Sequence, residues 1–463
     1  MSGGLPGLFP PGLLAGERYA VVGLGRMGLP AARALAGMGA DVVAWDDNPE
    51  ARGQARDQAR NLLVEDPAPA MARFDALVLS PGIPHRLPQP HPAAAAALAA
   101  GVPVWSDAEL LFQAVRRAGS RARFAGITGT NGKSTTTALL AHILVTAGIP
   151  AAAGGNLGPA ALALPLLGDS GIYTLEMSSY MLERLATLRF DAAAMLNLTP
   201  DHLDRHGDMT GYAAAKRAIF ARQASSGLAV VGADDADSDA LAASLPGPVT
   251  RVSGLHEADL WFDGGTLRDQ HGMILVMAEA PALPGPHNAQ NAAAAAALAA
   301  FLGAPRAAIA RGIATFPGLP HRQRIVAVQD GVAFVDDSKA TNADAASRAL
   351  ACYDRAIWIA GGIAKAGGVE SLAPLFPRIA HAVLIGRDAP LLARQLAASG
   401  VPHHAAGTLE AAVPDAFALA RSLSAPTVLL SPACASFDQF TNFEARGLRF
   451  ASLARALQTG KAA

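Results

Sequence analysis

The feature that most constrains this chain is an alternation. Short apolar runs of strand length take turns with Ala/Leu-rich helical runs through almost all of its 463 residues. Parallel strands need a covering crossover between them, so this alternation predicts α/β layers with largely parallel sheets. Strands are expected at 19–22, 42–46, 76–80, 123–127, 172–175 and 192–196, and again near 332–336, 356–360, 382–386 and 427–431. Helices are expected at 29–38, 134–147 and 212–220. The polar, basic stretch 112–121 reads as a linker, and Pro317-Gly318-Leu319-Pro320 marks a second break. The chain thus divides into three α/β domains, 1–118, 119–318 and 319–463.

Composition narrows the function. Hydrophobic residues make up 51% and charged ones 16%, which is globular and not disordered. A net charge of −1 lacks the basic footprint of a nucleic-acid binder. The Ala-rich runs 93–100 and 292–300 are too short to cross a bilayer, and residues 1–20 lack the charged and apolar regions of an export signal. Two cysteines, Cys352 and Cys434, form no disulfide framework, so a reducing cytoplasm is expected. Lysine occurs only at 133, 216, 339, 365 and 461, against 32 arginines. Arginine is the default cation here. The four internal lysines are therefore candidates for tasks suited to a compact or reactive amine. The plain alternative, survival by drift, suits Lys461.

Between the strand ending at Ile127 and the helix from Ser134 lies Thr128-Gly129-Thr130-Asn131-Gly132-Lys133-Ser134-Thr135. Small residues let backbone N–H groups curl round phosphate oxygens. The helix N-terminus and Lys133 add positive potential, and the Ser134 hydroxyl can reach Mg²⁺. The general pattern G-x-x-x-x-G-K-[ST] is not met, because Ile127 stands at its first glycine. An ordinary strand–turn–helix is the alternative. Farther on, Glu176 ends a strand and Asn197-Leu-Thr-Pro-Asp-His202-Leu-Asp204 follows another. Strand ends beside a phosphate loop are where a parallel sheet presents ligands. Glu176 and His202 are thus candidates for metal binding, with a turn cap and a surface histidine as their alternatives.

Thr128–Thr135 resembles the ATP loop of the Mur ligase family, which includes folylpolyglutamate synthases and tolerates a non-glycine at Ile127. The resemblance continues through separate motifs almost to the C-terminus. It implies a Rossmann-like N-terminal domain for a UDP-linked substrate, a central P-loop ATPase-like domain and a Rossmann-like C-terminal domain for an amino acid. It implies Ser134, Glu176, His202 and a carbamylated Lys216 around two Mg²⁺ ions. It puts an asparagine of Asn288 and Asn291 at the adenine, Arg322 near the γ-phosphate, Asp337 at the ribose, and Lys339 and Thr341 facing the active site. The implied chemistry is ATP-driven amide formation: a carboxylate becomes an acyl phosphate, and an amine displaces phosphate. Closure over the nucleotide is expected to keep water from that intermediate.

Gly23-Leu-Gly25-Arg26-Met27-Gly28 follows the first strand, and Asp46 ends the next, 23 residues after Gly23. That spacing is the dinucleotide fingerprint, so NAD is a competing reading. The family resemblance implies instead the diphosphate of UDP at Gly25, Arg26 and Met27, Asp46 or Asp47 near the uracil, and Asn156 near the acceptor's sugar-peptide. Gly361-Gly-Ile-Ala-Lys365 and the run Leu430–Gly447, with Ser436, Phe437 and Phe443, resemble the family's glutamate-adding branch. The implied substrates are UDP-N-acetylmuramoyl-L-alanine and D-glutamate, with Lys365, Thr341, Ser436 and Phe443 at the amino-acid pocket. Many relatives carry Asp where this chain has Ala364. A monomer without nucleic-acid or membrane partners is expected. The remaining alternatives are a ligase adding L-glutamate and a regulatory module binding NAD and ATP.

Overall fold

The computed structural model describes residues 7–59 and 62–457; Lys461 lies outside them. Three sheets form. In the first, β1–β5 (Arg18–Val22, Asp41–Trp45, Leu63–Val64, Ala76–Leu79, Val104–Trp105) run parallel in the order β3-β2-β1-β4-β5. The reversal of order at β1/β4 is the switch point at which such sheets bind ligands.

The second sheet holds β6–β14 (Arg123–Thr128, Ala151–Gly155, Ile172–Glu176, Ala192–Met195, Leu228–Gly232, Val249–Ser253, Leu260–Asp263, Thr266–Asp269, Gly272–Val276). Its order is β14-β13-β12-β11-β10-β9-β6-β8-β7, parallel except for the antiparallel pairs β12–β13 and β13–β14. In the third, β15–β20 (Arg324–Gln329, Val332–Asp336, Ala356–Gly361, Ile379–Ile385, His403–Gly407, Thr427–Leu430) take the order β15-β16-β20-β17-β18-β19, with only β15 antiparallel. The predicted strands and helices are present, most with ends shifted by one to three residues.

The chain packs as two compact units. One comprises the chain up to Ala280 with Pro286–Phe316, and so holds the first two sheets. The other comprises Pro281–Gly285 and the chain from Pro317 onward. A single apolar core runs through the first two sheets, from Val21 and Leu35 to Phe124, Tyr173 and Leu175. The Phe124 ring stacks on Tyr173 at 4.8 Å and meets Phe112 edge-on at 5.2 Å.

The stretch 112–121 is not a linker along its length: a helix, Asp107–Arg117, occupies its first half. Ser106 Oγ accepts the Glu109 N–H at 3.3 Å, and the helix buries Leu110, Leu111, Phe112, Ala114 and Val115. Part of its basic end packs inward. Arg116 lies over the Phe112 and Phe124 rings and donates to the Ser120 and Ala122 carbonyls, each at 2.9 Å. Guanidinium charge marked this segment as solvated, whereas the side chain lies on aromatic faces and spends its donors on carbonyls. Glu109 completes the junction. Its buried carboxylate accepts the N–H groups of Ala186, Thr187 and Leu188 at 2.8–2.9 Å.

Candidate active site

β6 delivers the chain into the phosphate loop, and the helix Lys133–Thr146 leaves it. Gly132, at φ +82°, turns the chain into the helix, a conformation that favours glycine. A Cβ there would lie 2.2 Å from Asn291 Oδ1. The loop is held from below by Asn197, whose Oδ1 accepts the Asn131 N–H at 2.8 Å and whose Nδ2 donates to Asn131 O at 3.2 Å. Thr130 Oγ1 donates to Thr199 O at 3.0 Å and lies 3.2 Å from the Tyr212 hydroxyl. Ser134 is buried at the first helical turn, and Thr135 follows it.

Both lysines of this unit converge on the loop. Lys133 Nζ donates to Gly129 O and Thr130 O at 2.8 Å, and Lys216 Nζ donates to Gly129 O at 2.7 Å. Lys216 comes from the helix Met209–Arg217 and is 2% exposed. Burial first, then Lys133, holds its ammonium well below the ordinary lysine range, against the opposing pull of Asp201 and Glu176. Lowered basicity favours the neutral amine, which is the nucleophilic form of lysine.

Glu176 ends β8 and is 2% exposed. It is no turn cap: Ser178 caps the following turn by accepting the Met181 N–H. Its Oε1 accepts Asn156 Nδ2 at 2.7 Å, while its Oε2 is buried with no hydrogen-bond partner among the described residues. A buried carboxylate oxygen without a partner is costly unless a cation meets it. A carboxylate and the Ser134 hydroxyl beside a phosphate loop are hard oxygen donors of the kind Mg²⁺ takes. No three His, Cys, Asp or Glu side chains gather into a metal cluster among the described residues. Mg²⁺ does not require one, since it fills its sphere with one or two carboxylates, phosphate oxygens and water.

His202 sits at φ +53° before a short helix, with Nε2 3.3 Å from Asp201 Oδ2. Burial holds its imidazole below the ordinary pKa although Asp201 opposes this, and a neutral imidazole keeps a lone pair for a ligand.

In the first sheet the glycine turn closes tightly, since a Cβ on Gly28 would lie 1.7 Å from Gly23 O. Asp46 Oδ2 accepts the Leu24 N–H of this turn at 2.6 Å, and its Oδ1 accepts the Asn48 N–H on its own segment at 2.9 Å. Asp47 pairs with His91 at 3.1 Å. Arg26 reaches from the turn, in which Gly25 and Met27 flank it, to the carbonyls of Asn156 and Leu157 at 3.2 and 3.4 Å. The turn and the carboxylate of Glu176 are therefore linked through one residue, Asn156.

Asn291 Oδ1 accepts Thr136 Oγ1 at 3.3 Å, and its Nδ2 donates to Asn288 Oδ1 at 3.1 Å. Both asparagines thus brace the phosphate-loop helix from the helix Pro286–Phe301.

In the second unit Asp337 follows β16. Its buried carboxyl accepts Ser431 Oγ at 2.7 Å and Gln323 N–H at 3.2 Å. Burial pushes its pKa up to about 7, with Ser431 and Arg322 opposing. Lys339 Nζ lies 5.3 Å from the centre of the Phe443 ring, and Thr341 N–H donates to Lys339 O at 2.9 Å. Buried Arg446, to which sequence reasoning assigned no role, donates to Ser338 Oγ, Ser338 O and Cys434 O at 2.8–3.1 Å. It fixes the loop before Lys339 to the last helix, Phe443–Ala456.

Lys365 is exposed on the Gly-Gly loop. Beside it the Ala364 N–H is accepted by Asp388 Oδ2 at 2.8 Å, so a carboxylate from the neighbouring loop anchors this position. Ser436 is 2% exposed and Phe437 71% exposed. Asn197, Tyr212 and Asp388, like Arg446, escaped functional assignment, because their partners lie far along the chain.

Residues 127–299 match the Mur ligase middle domain. Residues 18–82 match the NAD binding domain of 6-phosphogluconate dehydrogenase. The UDP-N-acetylmuramoylalanine–D-glutamate ligase of Paramagnetospirillum magneticum is 48% identical over 97% of this chain and 99% of that protein. The protein of the same name from Rhizobium meliloti is 46% identical over 97% and 99%. Among solved structures, UDP-N-acetylmuramate-alanine ligase of Thermotoga maritima shares the fold with a TM-score of 0.61 at 18% identity, covering 95% of this chain and 99% of that one. With a phosphate loop, two converging lysines and relatives this similar over nearly its whole length, the chain belongs to the Mur ligase family.

Proposed function

We propose that this chain is an ATP-dependent ligase that adds D-glutamate to UDP-N-acetylmuramoyl-L-alanine in cytoplasmic peptidoglycan precursor synthesis. Curated relatives carrying that ligase name at 46–48% identity support the substrate pair. One observation carries the chemistry. A buried lysine of depressed basicity, Lys216, and a buried carboxylate with an unpartnered oxygen, Glu176, flank the same phosphate loop.

Three functional segments follow in this reading: 1–118 for the UDP substrate, 119–318 for ATP and 319–463 for the amino acid. The loop N–H groups of Gly129 to Ser134 and the Lys133 ammonium hold the phosphates. Lys216 adds CO₂ through its neutral amine, releasing a proton and leaving a carbamate. Ser134, Glu176, His202 and that carbamate would hold two Mg²⁺ ions, which would supply positive charge against the phosphates. The γ-phosphoryl passes to the acceptor carboxylate, and ADP leaves. Asn156 fixes the rotamer of Glu176, and Arg26 meets the UDP diphosphate with Gly25 and Met27. Asp46 or Asp47 lies near the uracil.

Asn288 and Asn291 border the adenine, Asp337 the ribose and Arg322 the γ-phosphate. Lys339, Thr341, Lys365, Ser436, Phe437 and Phe443 receive the amino acid, a cation with hydroxyl donors suiting a dicarboxylate. The protein acts as a monomer. No helix among the described residues is long and apolar enough to cross a membrane.

Phosphate release should require both the UDP-muramoyl-alanine acceptor and D-glutamate, and labelled oxygen should pass from the acceptor carboxylate into inorganic phosphate. Turnover without that transfer, equal release with folate-type acceptors, a preference for L-glutamate, or binding of NADH in place of UDP would each overturn the assignment.

A further inference from the structure

A histidine arrangement in the second unit has no part in the ligase chemistry. β18 (Ile379–Ile385) and the edge strand β19 (His403–Gly407) pair in parallel, with Val383 opposite His404. His381 and Val383 lie two residues apart and share a face, which makes His404 the diagonal neighbour of His381. His381 Nε2 and His404 Nδ1 are 3.0 Å apart, and the ring planes are tilted by 51°. On its other side His404 Nε2 lies 3.3 Å from Asp415 Oδ2, on the helix Leu409–Ser422.

Proton bookkeeping settles which nitrogens are available. An ionised carboxylate only accepts, so Asp415 fixes the proton of His404 on Nε2 and leaves Nδ1 with its lone pair. His381 then donates Nε2–H to that lone pair. Moving this one proton to His381 Nδ1 turns the pair into two lone pairs facing each other, with no net change in charge.

We propose that His381 Nε2 and His404 Nδ1 form a two-point site for a divalent transition cation such as Zn²⁺, with Asp415 orienting His404 from behind. Metal–nitrogen bonds of about 2.0–2.1 Å in a tetrahedral sphere separate two ligand nitrogens by about 3.3 Å. The observed 3.0 Å is close to that separation, and both rings must turn so that their lone pairs converge on one point beside the N–N line. The carboxylate–histidine–metal relay is the arrangement that fixes tautomer and raises ligand basicity.

Burial, with His404 and His403 adding to it, keeps His381 below its ordinary pKa and hence neutral near pH 7. His404 is 39% and Asp415 50% exposed, so water completes the coordination sphere. A third protein ligand is not available, since no larger His/Cys/Asp/Glu group gathers among the described residues. Imidazole donors select against the hard cation of the phosphate site. Bound metal would pin the edge strand to its neighbour.

Zn²⁺ titrated into the full-length, nucleotide-free chain by calorimetry tests this, with Cu²⁺ electron paramagnetic resonance reading out nitrogen ligation. One equivalent is expected to bind. Its affinity should fall at least tenfold in His381→Gln and in His404→Gln, and about 10- to 100-fold in Asp415→Asn. Mg²⁺-supported phosphate release in the absence of Zn²⁺ should be unchanged in all three, which reports that they fold. Zn²⁺ binding that survives both histidine changes, or a titration without saturable binding, overturns the site.

Discussion

Gly132→Ala tests how the phosphate loop is held. The added methyl carbon would sit 2.2 Å from Asn291 Oδ1 and 3.1 Å from Leu196 Cδ1, at φ +82°. Leu196 can yield by a few tenths of an ångström, but the carboxamide must leave. Holding a residue with a side chain in this backbone region costs about 1–3 kcal/mol. Displacing Asn291 strips Thr136 of its acceptor. The Thr136 hydroxyl is fully buried, and an unsatisfied buried donor costs about 1–3 kcal/mol more. The two contributions sum to about 4 kcal/mol.

The chain has two units, so a global melt would mix their transitions. Amide exchange in the helix Lys133–Thr146 is the better assay, and about 4 kcal/mol of lost local stability corresponds to roughly a thousandfold faster exchange. The decisive comparison is a double-mutant cycle. With Asn291→Ala already present there is no carboxamide to displace, and Gly132→Ala should cost only its backbone share, about 1–3 kcal/mol. Strictly additive effects would refute the steric argument and leave Asn291 without a role in bracing the loop.

Other expectations concern charge. Lys133→Ala should abolish turnover, and Lys216→Ala should lose it but recover in part with added short carboxylates standing in for the carbamate; absence of rescue argues against carbamylation. Asp107 is buried, and its pKa is pushed up to about 6 by that burial although the Ala161 N–H opposes it. Its folded pKa exceeds its unfolded one, so its contribution is complete below about pH 4 and fades as pH rises through 6. The difference amounts to about 3 kcal/mol. Asp107→Asn should therefore flatten stability against pH in this window; an unchanged profile refutes the burial argument. Glu109, two residues on, acts with the opposite sign. Burial opposes it, but hydrogen bonds led by Thr187 hold its carboxyl below the ordinary range, so its contribution is lost as pH falls.

Much of this was legible in one dimension because it depends on near neighbours. A glycine-rich turn between strand and helix, a lysine in an arginine-using chain and an acid at a strand end are local signals, and the folded chain brings all three to the phosphate loop. Resemblance to a family supplied the roles that spacing could not. The misread segment, 112–121, shows the limit. Arg116 is basic in sequence, and nothing within the segment announces that Phe124 and two carbonyls will receive its guanidinium.

Residue types and their order along the chain determined the α/β layering, the phosphate loop and the chemistry its lysines could perform. Only tertiary structure decided that Lys133 and Lys216, 83 positions apart, share the carbonyl of Gly129. It also decided that Asn156 occupies one oxygen of Glu176 and leaves the other bare. Desolvation and partner geometry are set by atoms distant in sequence, and these turn an ordinary amine into a weakly basic one and leave a buried strand-end carboxylate with an unpartnered oxygen.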